Sequence, residues 1–358
     1  MRALVLGSGK SGTAAAALLK AQGHEVDFAD GYDCVITSPG LRTKSELQFG
    51  CEELKRRGWK LLAVTGSKGK SSVVKVVADA IGGVPCGNYG RPVTDLISEK
   101  PGWAVVEVSS FQLETTTLPP DAFEAAAILN LQEDHLDRHG SVEAYHGLKR
   151  KLLSFAKKRV EPVKRSGDRF PALWKGSYFD NEILAGNAAM AVELMRVAGL
   201  DDAKIAAAFK SFVPLPHRMN LVAEIDGVRY IDDSKATSLA ALVAGVKMAS
   251  SGDRTVLLIA GGLPKGDDPK TALSTLTERV KKVYLIGQSA EAFFAVWNGA
   301  VDCEICGTMG KAVEEAAREA EKGETVLLSP GTASFDQFKS YGERGDAFAQ
   351  LVKGKRTT

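Results

Sequence analysis

The sequence predicts an α/β protein built from three consecutive domains. Short runs of Val, Leu and Ile bounded by glycine alternate with longer stretches of helical period, and this alternation is typical of parallel α/β sheets. At ~150 residues per domain as a soft prior, a chain of 358 residues has room for two or three domains. We predict domains over residues 1–60, 61–214 and 215–358, with Pro214-Leu215-Pro216 as the second linker.

Apolar runs and glycine turns place the elements within these domains. The first domain is short and carries one helix, Thr13 to Ala21, after its opening strand. A second helical pattern covers Val73 to Ile81. The predicted strands are Arg2 to Leu6, Glu25 to Ala29, Leu61 to Thr65, Trp103 to Val108, Ala125 to Leu129, Arg229 to Ile231, Thr255 to Ala260, Val283 to Ile286 and Thr325 to Leu328.

Composition points to small-molecule partners. The chain is 44% hydrophobic and 25% charged with a net charge of +2, which gives no field strong enough to favour nucleic acid or an anionic membrane. Of five cysteines, only Cys303 and Cys306 form a CxxC, without the second pair of a zinc site, so we expect reduced thiols. No basic leader and no apolar run long enough for a bilayer are apparent, so we expect a cytoplasmic protein.

The strongest local motif is Thr65-Gly66-Ser67-Lys68-Gly69-Lys70-Ser71-Ser72, which follows an apolar strand and precedes a helical pattern. Glycines in such a loop let backbone N–H groups turn toward an anion, and the helix N-terminus adds about half a positive charge. Lys70 can reach a terminal phosphate, and the Ser71 hydroxyl can ligate Mg²⁺. Val64 stands where the usual motif has its first glycine. A chance turn is the alternative, but the strand-loop-helix context favours ATP.

A second glycine loop, Gly7-x-Gly9-x-x-Gly12, follows the first predicted strand. Asp27 and Asp30 lie about where a dinucleotide-binding fold places its ribose-binding acid, so this loop alone would indicate NAD as readily as any other ligand. A tight turn without a ligand explains the same pattern equally well.

Two polar clusters end later strands of the second domain. Glu107 to Gln112 end one strand, and Asn130 with Asp134-His135-Leu136-Asp137 follow the next. In open α/β sheets, ligands bind at the carboxyl ends of strands. A carboxylate and a histidine beside a phosphate loop can hold Mg²⁺, which neutralises phosphoryl oxygens during transfer. His135 alone would more often be a surface or core residue, but beside the phosphate loop it favours a metal site.

Taken together, these motifs resemble the Mur ligase family, whose pattern joins T-G-x-x-G-K-[ST], E-x-S-S-F-Q-L and N-x-x-x-D-H-x-D in this order. Later segments resemble the members that add D-glutamate. These segments are Pro216-His217-Arg218, Asp233-Ser234-Lys235-Ala236-Thr237, Gly261-Gly262-Leu263-Pro264-Lys265, Leu328-Ser329-Pro330 and Ala333-Ser334-Phe335-Asp336-Gln337-Phe338. The resemblance implies a reduced Rossmann-like N-terminal domain, a central P-loop ATPase-like domain and a Rossmann-like C-terminal domain.

The resemblance also implies an ATP- and Mg²⁺-dependent ligase that activates a carboxylate as an acyl phosphate. The residues that match the family's catalytic positions are Lys70, His135, Lys149 and Lys235. The ATP positions are Gly66, Ser67, Lys68, Gly69, Lys70, Ser71, Ser72, Asn130, Asn187, Arg218 and Asp233. The metal positions are Ser71, Glu107, His135 and Lys149, the last as a carbamate, which would supply oxygen ligands suited to Mg²⁺. Lys149 also begins a basic run, so a solvated lysine is the alternative.

The substrates implied are UDP-N-acetylmuramoyl-L-alanine and D-glutamate, and a monomer is the family expectation. The D-glutamate positions are Thr237, Lys265, Ser334 and Tyr341, since a cation and hydroxyl groups suit a second carboxylate. The UDP-substrate positions are Gly9, Lys10, Ser11, Asp30, Ser38, Pro39 and Asn88.

Several departures from the family pattern are visible. The first domain is contracted, because Asp30 is followed almost at once by the turn at Ser38-Pro39-Gly40, and the stretch between Lys149 and Asn187 is short as well. Leu184 replaces a usually polar residue. Lys68 stands where the family generally has asparagine, which adds a positive charge beside the phosphates.

Three alternatives stay open at this point. A sibling Mur ligase or a folylpolyglutamate-type ligase would keep the chemistry and change the amino acid. A dehydrogenase using the Gly7 loop would leave the phosphate loop and the Asp134-His135 cluster without a role. A non-catalytic nucleotide-binding relative would bind ATP without turnover.

Overall fold

The computed structural model describes residues 2–7, 9–29, 34–37, 42–133, 135–162 and 168–354. The chain divides into two compact units, Met1–Phe212 and Val213–Thr358. Among the described residues, three sheets form these units, two in the first and one in the second. The α/β class predicted from the sequence is therefore confirmed.

A small mixed sheet begins the first unit, in the order β2-β1-β3-β4. Its parallel pair, β1 and β2, has the predicted bounds, and its core is small, with Ala15 and Leu19 of α1 packed beside Val5. An antiparallel hairpin, β3 and β4, follows where the sequence predicts no strands. The elements are β1 Arg2–Leu6, α1 Lys10–Ala21, β2 Glu25–Ala29, β3 Cys34–Thr37 and β4 Arg42–Ser45.

A five-stranded parallel sheet forms the rest of the first unit, in the order β6-β7-β5-β8-β9. Residues 61–64 of its central strand are fully buried, as expected for a parallel strand covered by helices on both faces. The strands are β5 Lys60–Thr65, β6 Val84–Gly87, β7 Trp103–Glu107, β8 Phe123–Ile128 and β9 Ala156–Val160. The helices are α2 Glu46–Arg56, α3 Lys70–Ile81, α4 Ser110–Thr115, α5 Leu136–His139, α6 Val142–Lys151, α7 Ala185–Val197 and α8 Asp202–Ser211, with 3-10 turns at Val93–Ser98, Leu152–Phe155 and Pro171–Leu173.

Helix α2 packs against this five-stranded sheet. Leu47, Cys51 and Leu54 lie in one hydrophobic cluster with residues of β5 and β7. The buried carboxylate of Glu46 accepts hydrogen bonds from both the backbone N–H and the hydroxyl of Thr94, at 2.8 and 2.9 Å. Polar bonds and apolar packing therefore both tie α2 to the central core.

The second unit contains a six-stranded sheet in the order β10-β11-β15-β12-β13-β14. Its first two strands form an antiparallel hairpin, and the other neighbours pair in parallel. The strands are β10 Asn220–Ile225, β11 Val228–Asp232, β12 Val256–Gly261, β13 Val280–Ile286, β14 Asp302–Gly307 and β15 Thr325–Leu328. The helices are α9 Leu239–Ala249, α10 Leu273–Arg279, α11 Ala290–Trp297, α12 Met309–Glu319 and α13 Tyr341–Gly354, with a 3-10 turn at Pro269–Ala272.

Strand β13 begins three residues before its predicted start. Lys281 and Lys282 interrupt the apolar pattern there, but each pairs with glutamates in the folded unit, at 2.8 Å to Glu324 and 2.9 Å to Glu319 respectively. These ion pairs let charged residues continue a strand that hydropathy alone would end. Within the described part of the chain, no helix is both long enough and apolar enough to cross a bilayer.

Candidate active site

The phosphate-loop motif lies between β5 and α3, and two of its glycines are required by geometry. Gly69 has a φ of +83°, a left-handed conformation that side chains disfavour, and a Cβ at this position would overlap the amide nitrogen of Asn187. A Cβ at Gly66 would lie 3.0 Å from the Cβ of Leu129. The loop is therefore a close-packed turn at a helix N-terminus, which is a favourable place for a phosphate.

Asn130 holds this loop in shape. Its Oδ1 accepts from the backbone N–H of Lys68 at 2.9 Å, and its Nδ2 donates to the Lys68 carbonyl at 2.8 Å and to Oδ1 of Asn187 at 3.1 Å. Asn187 itself is buried at the start of α7. The two asparagines expected in a nucleotide site thus lie together beside the loop.

Strand order brings Glu107 next to the loop, because β7 and β8 flank β5. Glu107 is 2% exposed, and its Oε1 accepts a hydrogen bond from Nδ2 of Asn88 at 2.7 Å. Its Oε2 is buried and has no hydrogen-bond partner among the residues described. Asn88, which the resemblance assigned to the UDP substrate, therefore lies against the expected metal ligand.

Lys149 is buried, with only 1% of its surface exposed, so the solvated alternative considered from its basic run is wrong. Its Nζ donates to the Gly66 carbonyl at 3.0 Å and lies 4.4 Å from the centre of the Tyr145 ring. Helix α6 carries both residues, and its first turn is capped by the Ser141 side chain. Lys149 is consequently positioned among the phosphate-loop residues rather than in solvent.

Tyr145 is a site residue that the sequence did not single out. Its hydroxyl donates to Oγ of Ser67 at 3.2 Å, and its ring lies 6.3 Å from that of His135. His135 is exposed, with a φ of +52°, and contacts the Phe111 ring edge-on at 5.0 Å. The spacing of Tyr145 and Lys149, one helical turn apart, was the available signal.

One cavity of about 210 Å³ unites these groups at the carboxyl ends of the strands. Three of the expected catalytic residues, Lys70, His135 and Lys149, line it. Lys70 donates to the Gly66 and Ser67 carbonyls at 2.8 and 3.1 Å. The residues that line the cavity are Ser67, Lys70, Asn88, Ser109, Ser110, Phe111, His135, Tyr145 and Lys149.

Residues beside the phosphate loop fit Mg²⁺. The unpartnered buried oxygen of Glu107 is the kind of hard ligand that Mg²⁺ prefers. Ser71 and Ser72 lie in the first turn of α3, where Ser71 is partly exposed and Ser72 is buried. Carboxylate and hydroxyl oxygens beside a phosphate loop are a chemically suitable set for a phosphate-bound metal ion.

In the second unit, the expected nucleotide residue Asp233 directly follows β11, and the other, Arg218, precedes β10. Asp233 is buried, accepts from the Ser329 hydroxyl at 3.0 Å and from the Met219 N–H at 3.3 Å. Burial raises the pKa of Asp233 to about 7, although these hydrogen bonds and the charge of Arg218 act in the opposite direction. Asp233 therefore titrates near neutrality.

Two of the expected D-glutamate residues, Ser334 and Lys265, lie on neighbouring loops after β15 and β12. These loops are joined by a hydrogen bond from the Leu263 N–H to the Ala333 carbonyl, at 2.9 Å. Ser334 is buried and Lys265 is exposed, and within the described residues no hydrogen bond joins them.

The other expected residues of the second unit are Lys235, Thr237 and Tyr341. Lys235 follows β11, and its Nζ lies 3.9 Å from the centre of the Tyr341 ring. Tyr341 begins α13 and is partly exposed, and Thr237 precedes α9 in a half-buried position. The cation–π contact pairs a predicted catalytic lysine with a predicted D-glutamate residue.

Arg344 is the most deeply buried charged residue near these loops, and sequence patterns did not indicate it. Its guanidinium donates to both Oγ and the carbonyl of Ser234, at 3.0 and 2.9 Å. It also donates to the carbonyls of Thr332 and Ala333, at 3.1 and 3.2 Å. Burial lowers its pKa to about 10. Arg344 therefore ties the loop after β11 to the loop after β15.

The UDP-substrate positions are only partly described. Gly9 and Lys10 are exposed and Ser11 is half-buried, all at the N-terminus of α1. Asp30, Ser38 and Pro39 lie outside the described residues, as does Asp134 of the histidine cluster.

Comparisons with known proteins agree with the motifs. The family model "Mur ligase middle domain" matches residues 91–164, and "Mur ligase, glutamate ligase domain" matches residues 217–331. The UDP-N-acetylmuramoylalanine--D-glutamate ligase of Francisella philomiragia is 32% identical over 359 residues, covering 90% of this chain and 86% of that protein. The protein of the same name from Nitratidesulfovibrio vulgaris is 32% identical over 427 residues, covering 98% and 96%. That alignment is longer than this chain, so the relative has segments without a counterpart here.

Solved structures share the fold. The MurF ligase of Thermotoga maritima in complex with ADP aligns with a TM-score of 0.64 at 15% identity, covering 98% of this chain and 95% of that one. E. coli FolC in complex with ADP aligns with a TM-score of 0.57 at 17% identity, covering 87% and 94%. At these identities the likeness concerns the fold alone. The fold, the ordered motifs and the relatives at 32% identity lead to one conclusion: this chain belongs to the Mur ligase family.

Proposed function

We propose that this chain catalyses the ATP-dependent addition of D-glutamate to UDP-N-acetylmuramoyl-L-alanine through an acyl phosphate, a step of peptidoglycan precursor synthesis. The observation that carries the proposal is the cavity in which Lys70, His135 and Lys149 lie together beside the phosphate loop. The substrates are those in the names of relatives that cover most of the chain. An acyl phosphate is the activated form that a phosphate loop beside a carboxylate site would produce.

In the first step, the substrate carboxylate attacks the γ-phosphorus of ATP and ADP leaves. The loop N–H groups and the Lys70 ammonium stabilise the negative charge on the phosphoryl oxygens. Asn130 keeps the loop in this conformation by bonding both backbone groups of Lys68. Because the donors are fixed before the substrates arrive, little reorganisation is needed during transfer.

Ser71, Glu107, His135 and a carbamylated Lys149 would hold Mg²⁺, with Asn88 orienting the Glu107 carboxylate. When bound, Mg²⁺ neutralises charge on the phosphate oxygens. The remaining phosphate contacts in this proposal come from five residues of the loop: Gly66, Ser67, Lys68, Gly69 and Ser72.

Further residues bind the nucleotide and the amino acid in this proposal. The proposed nucleotide contacts also include Asn187, Arg218, Asp233 and Lys235. Thr237, Lys265, Ser334 and Tyr341 bind D-glutamate, whose amine attacks the acyl carbon and expels phosphate.

We propose three functional domains, over residues 1–60, 61–214 and 215–358. We further propose that the protein is a monomer and acts in the cytoplasm. The first domain binds the UDP part of the substrate through Gly9, Lys10 and Ser11 at a helix N-terminus, together with Asp30, Ser38 and Pro39. Its small four-stranded sheet supports a reduced domain.

The test is phosphate release from ATP with UDP-N-acetylmuramoyl-L-alanine and D-glutamate, compared with L-glutamate, other amino acids and none. Release that requires both the nucleotide-sugar and D-glutamate is the expected result. Release with a different amino acid or acceptor would assign the chain to a sibling ligase. ATP binding without release under any combination would contradict the ligase proposal.

A further inference from the structure

Ser45 joins the small four-stranded sheet to the central core along the chain, because β4 ends at this residue and α2 begins at the next. Its side chain caps α2, with Oγ accepting a hydrogen bond from the Gln48 N–H at 3.1 Å. Ser45 is 5% exposed. The direction in which the small sheet leaves the core is therefore set at a buried residue.

A second hydrogen bond holds Ser45 to a different helix. Its Oγ lies 2.8 Å from Oγ1 of Thr116, which is fully buried at the end of α4. The Thr116 hydroxyl donates its single proton to the Gln112 carbonyl at 2.6 Å, so it accepts from Ser45. Ser45 thus donates to Thr116 while it accepts from Gln48. The direction of these bonds follows from proton count alone and involves no charged group.

The other end of α4 lies at the cavity. Ser109 caps this helix, and the Gln112 side chain accepts hydrogen bonds from the Ser109 N–H and hydroxyl, at 3.0 and 3.1 Å. Ser109, Ser110 and Phe111 line the same cavity as the phosphate loop. Because α4 has only six residues, a shift at Thr116 would move this wall of the cavity. The Ser45–Thr116 bond therefore connects the small sheet to the cavity wall.

The nucleotide-sugar of the proposed reaction has to bind at two places at once. Its UDP part is assigned to the first domain, and its carboxylate has to reach the phosphate loop in the cavity. Once one part of such a ligand is bound, the effective concentration of the other part is highest when the distance between the two sites matches the ligand. A fixed junction between the two sites consequently favours the joined substrate.

We propose that Ser45 and Thr116 are positioning residues that hold the first domain at the distance from the cavity that the nucleotide-sugar spans. This inference rests on the proposed ligase function and on the assignment of the UDP part to the first domain. Neither residue touches the substrate. Loss of their bond should weaken binding of a ligand that bridges the two sites, and leave unchanged a ligand that occupies only one, such as ATP or free UDP.

The experiment compares Thr116→Val and Ser45→Ala with the unmodified chain and with Thr115→Val, a change at the exposed threonine next to Thr116. Thr116→Val is the main variant, because it removes the bond and keeps the Ser45 cap of α2. The measured constants are KM for the nucleotide-sugar, KM for ATP, and the inhibition constant of UDP as a competitor of the nucleotide-sugar.

We expect Thr116→Val and Ser45→Ala to raise KM for the nucleotide-sugar about five- to tenfold, the effect of one lost hydrogen bond. The other two constants should stay within about twofold, and Thr115→Val should change none of the three. The double variant should resemble the weaker single variant, since both changes remove the same bond. Thr116→Ser keeps the hydroxyl and should restore most of the affinity for the nucleotide-sugar.

A purely structural role for Ser45 and Thr116 would raise all three constants together, and that result would overturn the inference. It would also be overturned if Thr116→Ser and Thr116→Val behaved alike, or if UDP did not inhibit an unmodified chain that turns over. Failure of the unmodified chain to turn over with the nucleotide-sugar and D-glutamate would instead refute the proposed function, so the two failures are distinguishable.

Discussion

Lys149 and Lys70 donate to the same oxygen atom, the carbonyl of Gly66, at 3.0 and 2.8 Å. Their two ammonium groups are thus no farther apart than these two distances combined. Like charges this close in a partly buried site repel each other. Addition of CO₂ to the Lys149 amine would replace the repulsion with attraction, which is a physical reason for the carbamate in the proposed mechanism.

Replacing Lys149 by methionine should reduce ligase turnover at least about a hundredfold, because the methionine side chain cannot form a carbamate or bind Mg²⁺. The measurement is the rate of phosphate release, with Lys158→Met as the control, since Lys158 is half-exposed and pairs with Glu193 on the surface. The unmodified chain should also lose activity in CO₂-free buffer and regain it with bicarbonate. Turnover by Lys149→Met close to that of the control would rule out the assigned role.

Gly69 and Gly82 flank α3 and allow a matched comparison. Both have positive φ, at +83° and +61°, but a Cβ would overlap the Asn187 side chain only at Gly69, since nothing lies within 4 Å of it at Gly82. Gly82→Ala should cost roughly 1–2 kcal/mol of stability from backbone strain and leave KM for ATP unchanged. Gly69→Ala should in addition raise KM for ATP at least about tenfold. Equal KM values in the two variants would contradict the packing argument.

Removing Arg344 should destabilise the second unit. Arg344→Met leaves the buried Ser234 and Thr332 carbonyls without this donor and the Ala333 carbonyl with only the Leu263 N–H, and we expect a loss of about 3–5 kcal/mol in the free energy of unfolding, measured by urea denaturation. Arg318→Met is the control, because the Arg318 side chain is 69% exposed, and it should change stability by less than about 0.5 kcal/mol. A small effect at Arg344 would mean that water can replace its hydrogen bonds.

Asp233 should make stability depend on pH in a specific direction. Its folded pKa of about 7 lies above the ordinary value of 3.8, so between these values the folded chain binds a proton that the unfolded chain has released. Stability therefore falls as pH rises from about 4 to 7 and the penalty is complete above pH 7. Asp233→Asn removes this penalty, so the variant should gain stability relative to the parent at pH 8 and little at pH 4.

The measurement is the urea midpoint at pH 4, 5.5 and 8, with Asp253→Asn as an exposed control. If the urea midpoints of Asp233→Asn and the parent differ by the same amount at all three pH values, the buried carboxyl does not titrate as inferred.

The sequence predicted contiguous features well. Seven strands of the two large sheets, β5, β7, β8, β11, β12, β13 and β15, were visible as apolar runs, whereas β6, β9, β10 and β14 were not predicted. The phosphate loop was visible because its glycines, lysines and serines are adjacent in the chain. The hairpin of β3 and β4 was not predicted, because each strand has only four residues and lacks the alternation that identifies longer strands.

Contacts between distant segments could not be predicted from composition or spacing. Arg344 contacts Ser234 across 110 positions, and nothing in the local pattern of α13 indicates that its arginine is buried. The contact of Asn88 with Glu107 depends on the strand order β6-β7, which only the fold determines. The Ser110–His139 contact likewise requires α4 and α5 to meet.

Helix α2 has a consequence for shortened forms of this chain. Leu47, Cys51 and Leu54 belong to the core of the five-stranded sheet, and Glu46 bonds Thr94 within it. A chain shortened as far as residue 60 would leave this face of the sheet uncovered, whereas one that begins near Ser45 would keep it. A deletion that removes α2 would therefore expose part of the core of the five-stranded sheet, whereas one that stops before its first turn would leave that core covered.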